Sequence, residues 1–125
     1  MAKIMIGPAG TGGSSEEGFR LIKGKGLDAV EIEFTYGVWM KKSDALKLNS
    51  LNKELKLQFS IHAPYFINLA SEKAKSSKLR ILKCCEIGNA LGAKYIVFHP
   101  GFYQKKDPEE VYQTIKKEIV DMNER

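Results

Sequence analysis

The chain has 125 residues, 43% hydrophobic and 28% charged, with 20 Lys and Arg against 15 Asp and Glu for a net charge of +5. Those values describe one globular domain over residues 1–125 and exclude a disordered or fibrous chain. No apolar run approaches the roughly 20 residues of a membrane span, and the N-terminus has no long apolar stretch, so a cytoplasmic protein is expected.

The basic surplus suits a polyanionic partner without requiring one. Much of it (Lys41, Lys42, Lys47, Lys73, Lys75, Lys78, Lys116, Lys117) falls on predicted helices, where a solvated face explains it equally well. Cys84 and Cys85 are adjacent, in a helical pattern and without metal-type spacing, so both are expected to be reduced core or boundary residues.

Four strand-like runs alternate with four helix-like segments. Lys3–Gly7 is a short apolar strand broken by Gly7-Pro8-Ala9-Gly10, and Gly10-Thr11-Gly12-Gly13 is a turn lacking the Lys of a phosphate-cradling loop. Ser14 with Glu17 predicts a capping box opening a helix that carries Phe19, Leu21 and Ile22 and stops at Gly24 and Gly26. Ala29–Phe34 alternates Val30, Ile32 and Phe34 with Glu31 and Glu33, a strand with one polar side. Ser43 predicts the cap of a helix striped by Leu48, Leu51 and Leu55.

Leu57–Ile61 is the third strand. Ser71 starts a long helix with Ala74, Ile81, Cys85 and Gly88 on one face, ended by Gly92. Lys94–Phe98 is the fourth strand. Asp107-Pro108-Glu109-Glu110 combines a capping Asp, a Pro at the first helical position and a Glu placed to cap back, ahead of a stripe of Val111, Ile115, Ile119 and Met122. The order is (βα)4, an α/β fold of parallel strands joined by right-handed crossovers.

Two strands end alike, in Phe59-Ser60-Ile61-His62-Ala63-Pro64-Tyr65 and in Tyr95-Ile96-Val97-Phe98-His99-Pro100-Gly101. The only two histidines, His62 and His99, therefore sit at the carboxyl ends of parallel strands, where α/β folds gather ligands. Two imidazoles there point to a metal or phosphate site. The plain alternative is a pair hydrogen-bonded at strand ends for structural reasons. Tyr65 and Phe66 either pack over the mouth of the fold or face a partner. Glu31 and Glu33 read as the polar side of a half-exposed strand rather than as active-site carboxylates.

Four strings taken together carry a family resemblance: Ile6-Gly7-Pro8-Ala9-Gly10, Glu31-Ile32-Glu33-Phe34-Thr35, the run from His62 to Ala70, and Val97-Phe98-His99-Pro100-Gly101. Over essentially its whole length the chain resembles the amino-terminal half of an endonuclease IV family protein, a zinc-dependent DNA repair nuclease on a TIM barrel related to the sugar isomerase-like barrels. The resemblance implies that His62 and His99 are zinc ligands and that Tyr65 and Phe66 lie on a loop entering double-stranded DNA at an abasic nucleotide. It makes the Thr35–Met40 stretch a second DNA-facing loop, with Trp39 and Lys41 standing where some relatives carry an arginine. It also implies hydrolysis of the phosphodiester 5′ to the abasic site, with clustered zinc ions activating water. The chemistry is apt: zinc lowers the pKa of bound water to roughly 7, and a baseless sugar costs less to extrude than a paired nucleotide.

A full (β/α)8 barrel takes about 250 residues, so four units are expected to form a half-barrel, completed by a homo-oligomer or by a carboxyl-terminal half that supplies the remaining ligands. Alone, the half is expected to have low or no activity. Two other readings stand beside the nuclease: a non-catalytic DNA-binding or assembly subunit, and a metabolite-binding relative of the sugar isomerases.

Overall fold

Alternating branched apolar and polar residues make the middle of the chain a parallel sheet. In a computed structural model that describes residues 3–12 and 14–124, the strands are β1 (Ala29–Glu33), β2 (Gln58–His62) and β3 (Tyr95–Val97), in that order across the sheet. Register aligns Glu33 with His62 and His62 with Val97, so the strands end level. Four helices alternate with them among the described residues: α1 (Ser15–Gly24), α2 (Lys42–Leu55), α3 (Ala74–Leu91) and α4 (Pro108–Asn123). The chain is an α/β fold of parallel strands, as the alternation predicts, with three strands where four were expected.

One face of the sheet is the core. Val30, Ile32, Phe59 and Ile61 are buried there beneath Phe19 and Ile22 of α1, Leu48 and Leu55 of α2, and Ile81, Ile87 and Leu91 of α3. The Phe19 and Phe59 rings pack with centroids 4.9 Å apart. The opposite face carries Ala29, Glu31, Glu33, Gln58, Ser60 and His62, all half-buried. Ser60 Oγ donates to Glu31 Oε2 across it (3.0 Å), which places Glu31 in the polar strand layer expected of it.

The predicted first strand departs most. Lys3–Gly7 forms no strand, and Ile4, Met5 and Ile6 are exposed. The segment still follows β1: Asp28 and Ala29 N–H donate to the Ile6 carbonyl, Glu31 N–H to Pro8, and Gly10 N–H to Glu31. Pro8 has no N–H to return to Ala29, so the ladder shrinks to one bridge, Ala9 with Glu31. Gly7 lies so close to Ala29 that a Cβ would stand 1.5 Å from its carbonyl oxygen. The Gly10–Gly13 turn is described only to Gly12; Gly13 lies outside the described residues.

Helix starts correct the sequence in three places. Ser14 is the N-cap of α1, but its Oγ donates to Glu17 Oε2 (3.1 Å) instead of accepting a backbone N–H. The cap of α2 is Lys41 rather than Ser43, its carbonyl accepting from Asp44 and Ala45. Helix α3 begins at Ala74, after a turn in which Ser71 Oγ accepts from Lys73 N–H. Only Asp107 caps as predicted, its Oδ1 accepting from Glu109 and Glu110 N–H with Pro108 following.

Helix α3 also turns Cys84, not Cys85, into the core. Both cysteines are free, and burial pushes the Cys84 thiol up to about 11. Helices α3 and α4 are joined by Lys78, which meets Asp121 (2.7 Å) and Glu118. The bond to Asp121, then that to Glu118, holds the ammonium pKa above the usual lysine value.

Candidate functional site

Each strand ends where the next helix begins, so the carboxyl ends of β1–β3 and the amino ends of α2–α4 share one rim. Helix amino ends carry a partial positive charge, which suits anionic ligands at α2 and α3; at α4 the Asp107 carboxylate already takes the Glu109 and Glu110 N–H groups. The last residue of β2, His62, rises from this rim, and His99 follows two residues after β3. Their ring centroids are 5.2 Å apart. The structure thus brings together the two histidines that the sequence placed on adjacent strands.

The imidazole of His62 is oriented from below. Its Nδ1 lies 2.8 Å from the Ala63 carbonyl oxygen. A carbonyl only accepts, so Nδ1 carries the proton and the lone pair of the neutral ring is left on Nε2, a common arrangement for a metal-binding histidine. Among the described residues, however, no group of three or more His, Cys, Asp or Glu stands close enough to hold a metal ion.

Tyr65 continues the cluster, with its ring 5.4 Å from His62 and 6.1 Å from His99. Its backbone N–H donates to the Thr35 carbonyl, tying the β2–α3 loop to the β1–α2 loop. Beyond it stands Tyr36, edge-on at 6.4 Å and 91% exposed. In sequence Tyr36 is only one residue of the Thr35–Met40 loop; its direction is set by the turn closed by Gly37 N–H on the Phe34 carbonyl, which no local pattern announces.

The other proposed DNA-facing residues do not join this row. The Trp39 indole N–H donates to the Glu33 carbonyl (2.9 Å), and its ring packs edge-on against buried Phe34. It lines a hollow between α1 and α2 with Met40 and Leu48. Lys41 is exposed at the cap of α2. Phe66 is half-exposed, with the Arg80 guanidinium of α3 5.0 Å from its centroid. No helix of the described residues is long and apolar enough to cross a membrane.

The sequence has relatives. An uncharacterized protein of Methanocaldococcus jannaschii is 38% identical over 122 residues, 93% of this chain and 44% of that protein. A protein named "Probable endonuclease 4" from Metamycoplasma arthritidis is 39% identical over 49 residues, 38% of this chain and 18% of its own. One of the same name from Mesomycoplasma hyopneumoniae is 50% identical over 44 residues, 34% and 16% of the two chains. The chain spans less than half the length of these relatives.

Among solved structures, SacUVDE superimposes with a TM-score of 0.68 at 13% identity, over 85% of this chain and 42% of its own. A xylose isomerase domain protein from Planctomyces limnophilus gives 0.64 at 12% identity, over 83% and 43%. These two show the fold alone. The sequence model of the xylose isomerase-like TIM barrel matches residues 19–122. The chain belongs to the xylose isomerase-like TIM barrel family.

Proposed function

We propose that this chain supplies the amino-terminal part of an endonuclease IV-type DNA repair centre, which hydrolyses the phosphodiester 5′ to an abasic site. The observation that carries the reading is the His62–His99 pair, 5.2 Å apart at the strand ends, with Tyr65 against both rings. The short matches to proteins named "Probable endonuclease 4" agree with it. The rim fits the substrate: helix amino ends and a chain charge of +5 attract phosphate, and exposed Tyr65 and Phe66 offer faces that replace a missing base in the stack. Trp39 and Lys41 contact DNA from the outer side of the rim in this reading.

Two imidazoles, that of His62 with its Nδ1 oriented, are suitable zinc donors, but a tetrahedral site needs four ligands. His62 and His99 would hold a zinc ion together with groups from outside the described residues. Zinc would supply an activated water at neutral pH and polarise the phosphodiester. This chain's own residues do the remaining work. The Ala63 carbonyl fixes the His62 ring, Tyr65 fills the space beside the baseless sugar, and the amino ends of α2 and α3 position the phosphate.

Further β/α units, from a second copy or another polypeptide segment, complete the barrel in this proposal. The exposed Ile4, Ile6, Tyr95 and Val97 along both edges and the open face are what they would cover. Sedimentation showing only monomer at micromolar concentration rejects the second copy.

The deciding experiment incubates the chain with a duplex containing one abasic site, with zinc and with a chelator. Chelator-sensitive incision, lost in His62→Ala and His99→Ala, is the expected signature of the enzyme. The shortage of ligands favours one other reading, a DNA-binding subunit without catalysis. It predicts abasic-selective, strongly salt-dependent binding without incision. Indifference to the abasic site at low salt rejects both.

A further inference from the structure

The two free edges of the sheet are alike in kind. The strands run β1-β2-β3, and the chain from Ile6 to Gly10 is bonded along the outside of β1. That segment and β3 therefore each turn one side of their backbone outward, beside exposed Ile4 and Ile6 at one edge and Tyr95 and Val97 at the other. Each edge continues into a helix with an exposed apolar residue of its own, Leu21 on α1 and Val120 on α4.

The two helices also match in charge. Along α1 and its cap, Glu17, Leu21 and Lys25 recur at every fourth residue and are exposed; along α4 and its cap, Lys116, Val120 and Glu124 do the same. Both rows lie on the free side of their helices. Leu21 and Lys25 border a hollow with Pro8 and Gly12 of the first segment, whereas Glu118 and Asp121 take the side of α4 that faces α3. Laying α1 beside α4 in the same direction, with Gly24 and Asn123 level at their ends, puts Glu17 by Lys116, Leu21 by Val120 and Lys25 by Glu124. Each acid then meets a lysine, and the two apolar side chains meet between them. The antiparallel alternative sets Glu17 by Glu124 and Lys25 by Lys116, like against like. The charges thus select parallel helices, the arrangement a barrel requires.

We propose that the occupant of both edges is a second copy of this chain, related by a two-fold axis along the strands. Such an axis keeps every strand parallel, brings β3 of one copy beside the first segment of the other, and makes the α1–α4 contact twice. Two copies, each with three strands and that segment, fill the eight places of a TIM barrel. The inference goes beyond the nuclease reading and needs only the fold. It sets both histidine-bearing rims at one end, where the second copy's His62 and His99 join a site for which one chain offers no third donor among its described residues.

The test measures the dimer dissociation constant of the full chain by sedimentation at low salt. Lys116→Glu and Glu17→Lys each set like charges side by side at two contacts, and each is expected to weaken the dimer about tenfold with helix content unchanged by circular dichroism. Together they rebuild the pair in reversed order, so the double variant is expected to return close to the wild-type constant. Lys117→Glu, one residue off the row, changes the chain charge equally and is expected to leave the dimer as it was. A monomeric wild type at micromolar concentration overturns the proposal and leaves the edges to another polypeptide. A dimer indifferent to both single variants, or weakened by them without recovery in the double variant, overturns the arrangement. Abasic incision by a monomer keeps the nuclease reading when the pairing fails; a dimer that ignores the abasic duplex upholds the pairing while that reading falls.

Discussion

The two faces of the sheet are built from the same strands and do opposite jobs. On one, Val30, Ile32, Phe59 and Ile61 lie almost wholly buried under three helices. On the other, one residue along each strand, Glu31, Glu33, Ser60 and His62 are polar and half-covered. Folding free energy comes from the first face, through apolar area removed from water. The second contributes little to stability and keeps its donors and acceptors available. Substitutions should therefore separate cleanly by face.

The largest separation is expected at Ile61. Truncating this fully buried side chain to Ala should cost about 2–5 kcal/mol in urea unfolding, whereas a loss under about 1 kcal/mol would erase the contrast. Away from the sheet, Asp107→Ala should cost about 1 kcal/mol by leaving two amide groups of α4 uncapped, without changing zinc or DNA binding. On the open face Ser60→Ala should cost less still, under about 1 kcal/mol, since Glu31 keeps access to water. Equal losses at Ile61 and Ser60 would mean that both faces are covered.

The cysteines sharpen the same contrast within one helix. The folded-state pKa of Cys84, about 11, lies above its ordinary 9.0, so the folded protein holds that proton more tightly than the unfolded chain. The resulting stability is complete below pH 9 and drains away as pH rises toward 11. Cys84→Ala should flatten that part of the pH–stability curve. A thiol reagent at neutral pH should modify exposed Cys85 well before buried Cys84, by mass spectrometry of the digested protein; equal rates would contradict the burial.

What could be read in the sequence was whatever local chemistry decides alone. Three strands were legible, β1 from its alternation and β2 and β3 as short apolar runs, α4 from Asp107-Pro108, and the histidine pair from two strands each ending in a histidine with a proline close behind. What could not be read depends on neighbours distant in the chain. Ile4, Met5 and Ile6 look like a strand, yet Pro8 withholds a hydrogen bond and nothing packs on them. Ser43 and Ser71 look like caps, but Lys41 and Lys73 hold those places through backbone geometry. Trp39 looks free until Glu33 and Phe34 secure it, while the placing of Tyr36 against Tyr65 emerges only from loop–loop contacts.

Placing the histidines, the exposed rings and the helix amino ends on one rim leaves the other end of the sheet chemically quiet. There the helices run into short returns such as Lys56, whose neighbours Asn52 and Leu57 lock the turn with two 2.8 Å bonds, and Gly92 ahead of β3. A fluorophore, a biotin or a surface tether attached at Lys56 would present the histidine-bearing rim outward in a uniform orientation.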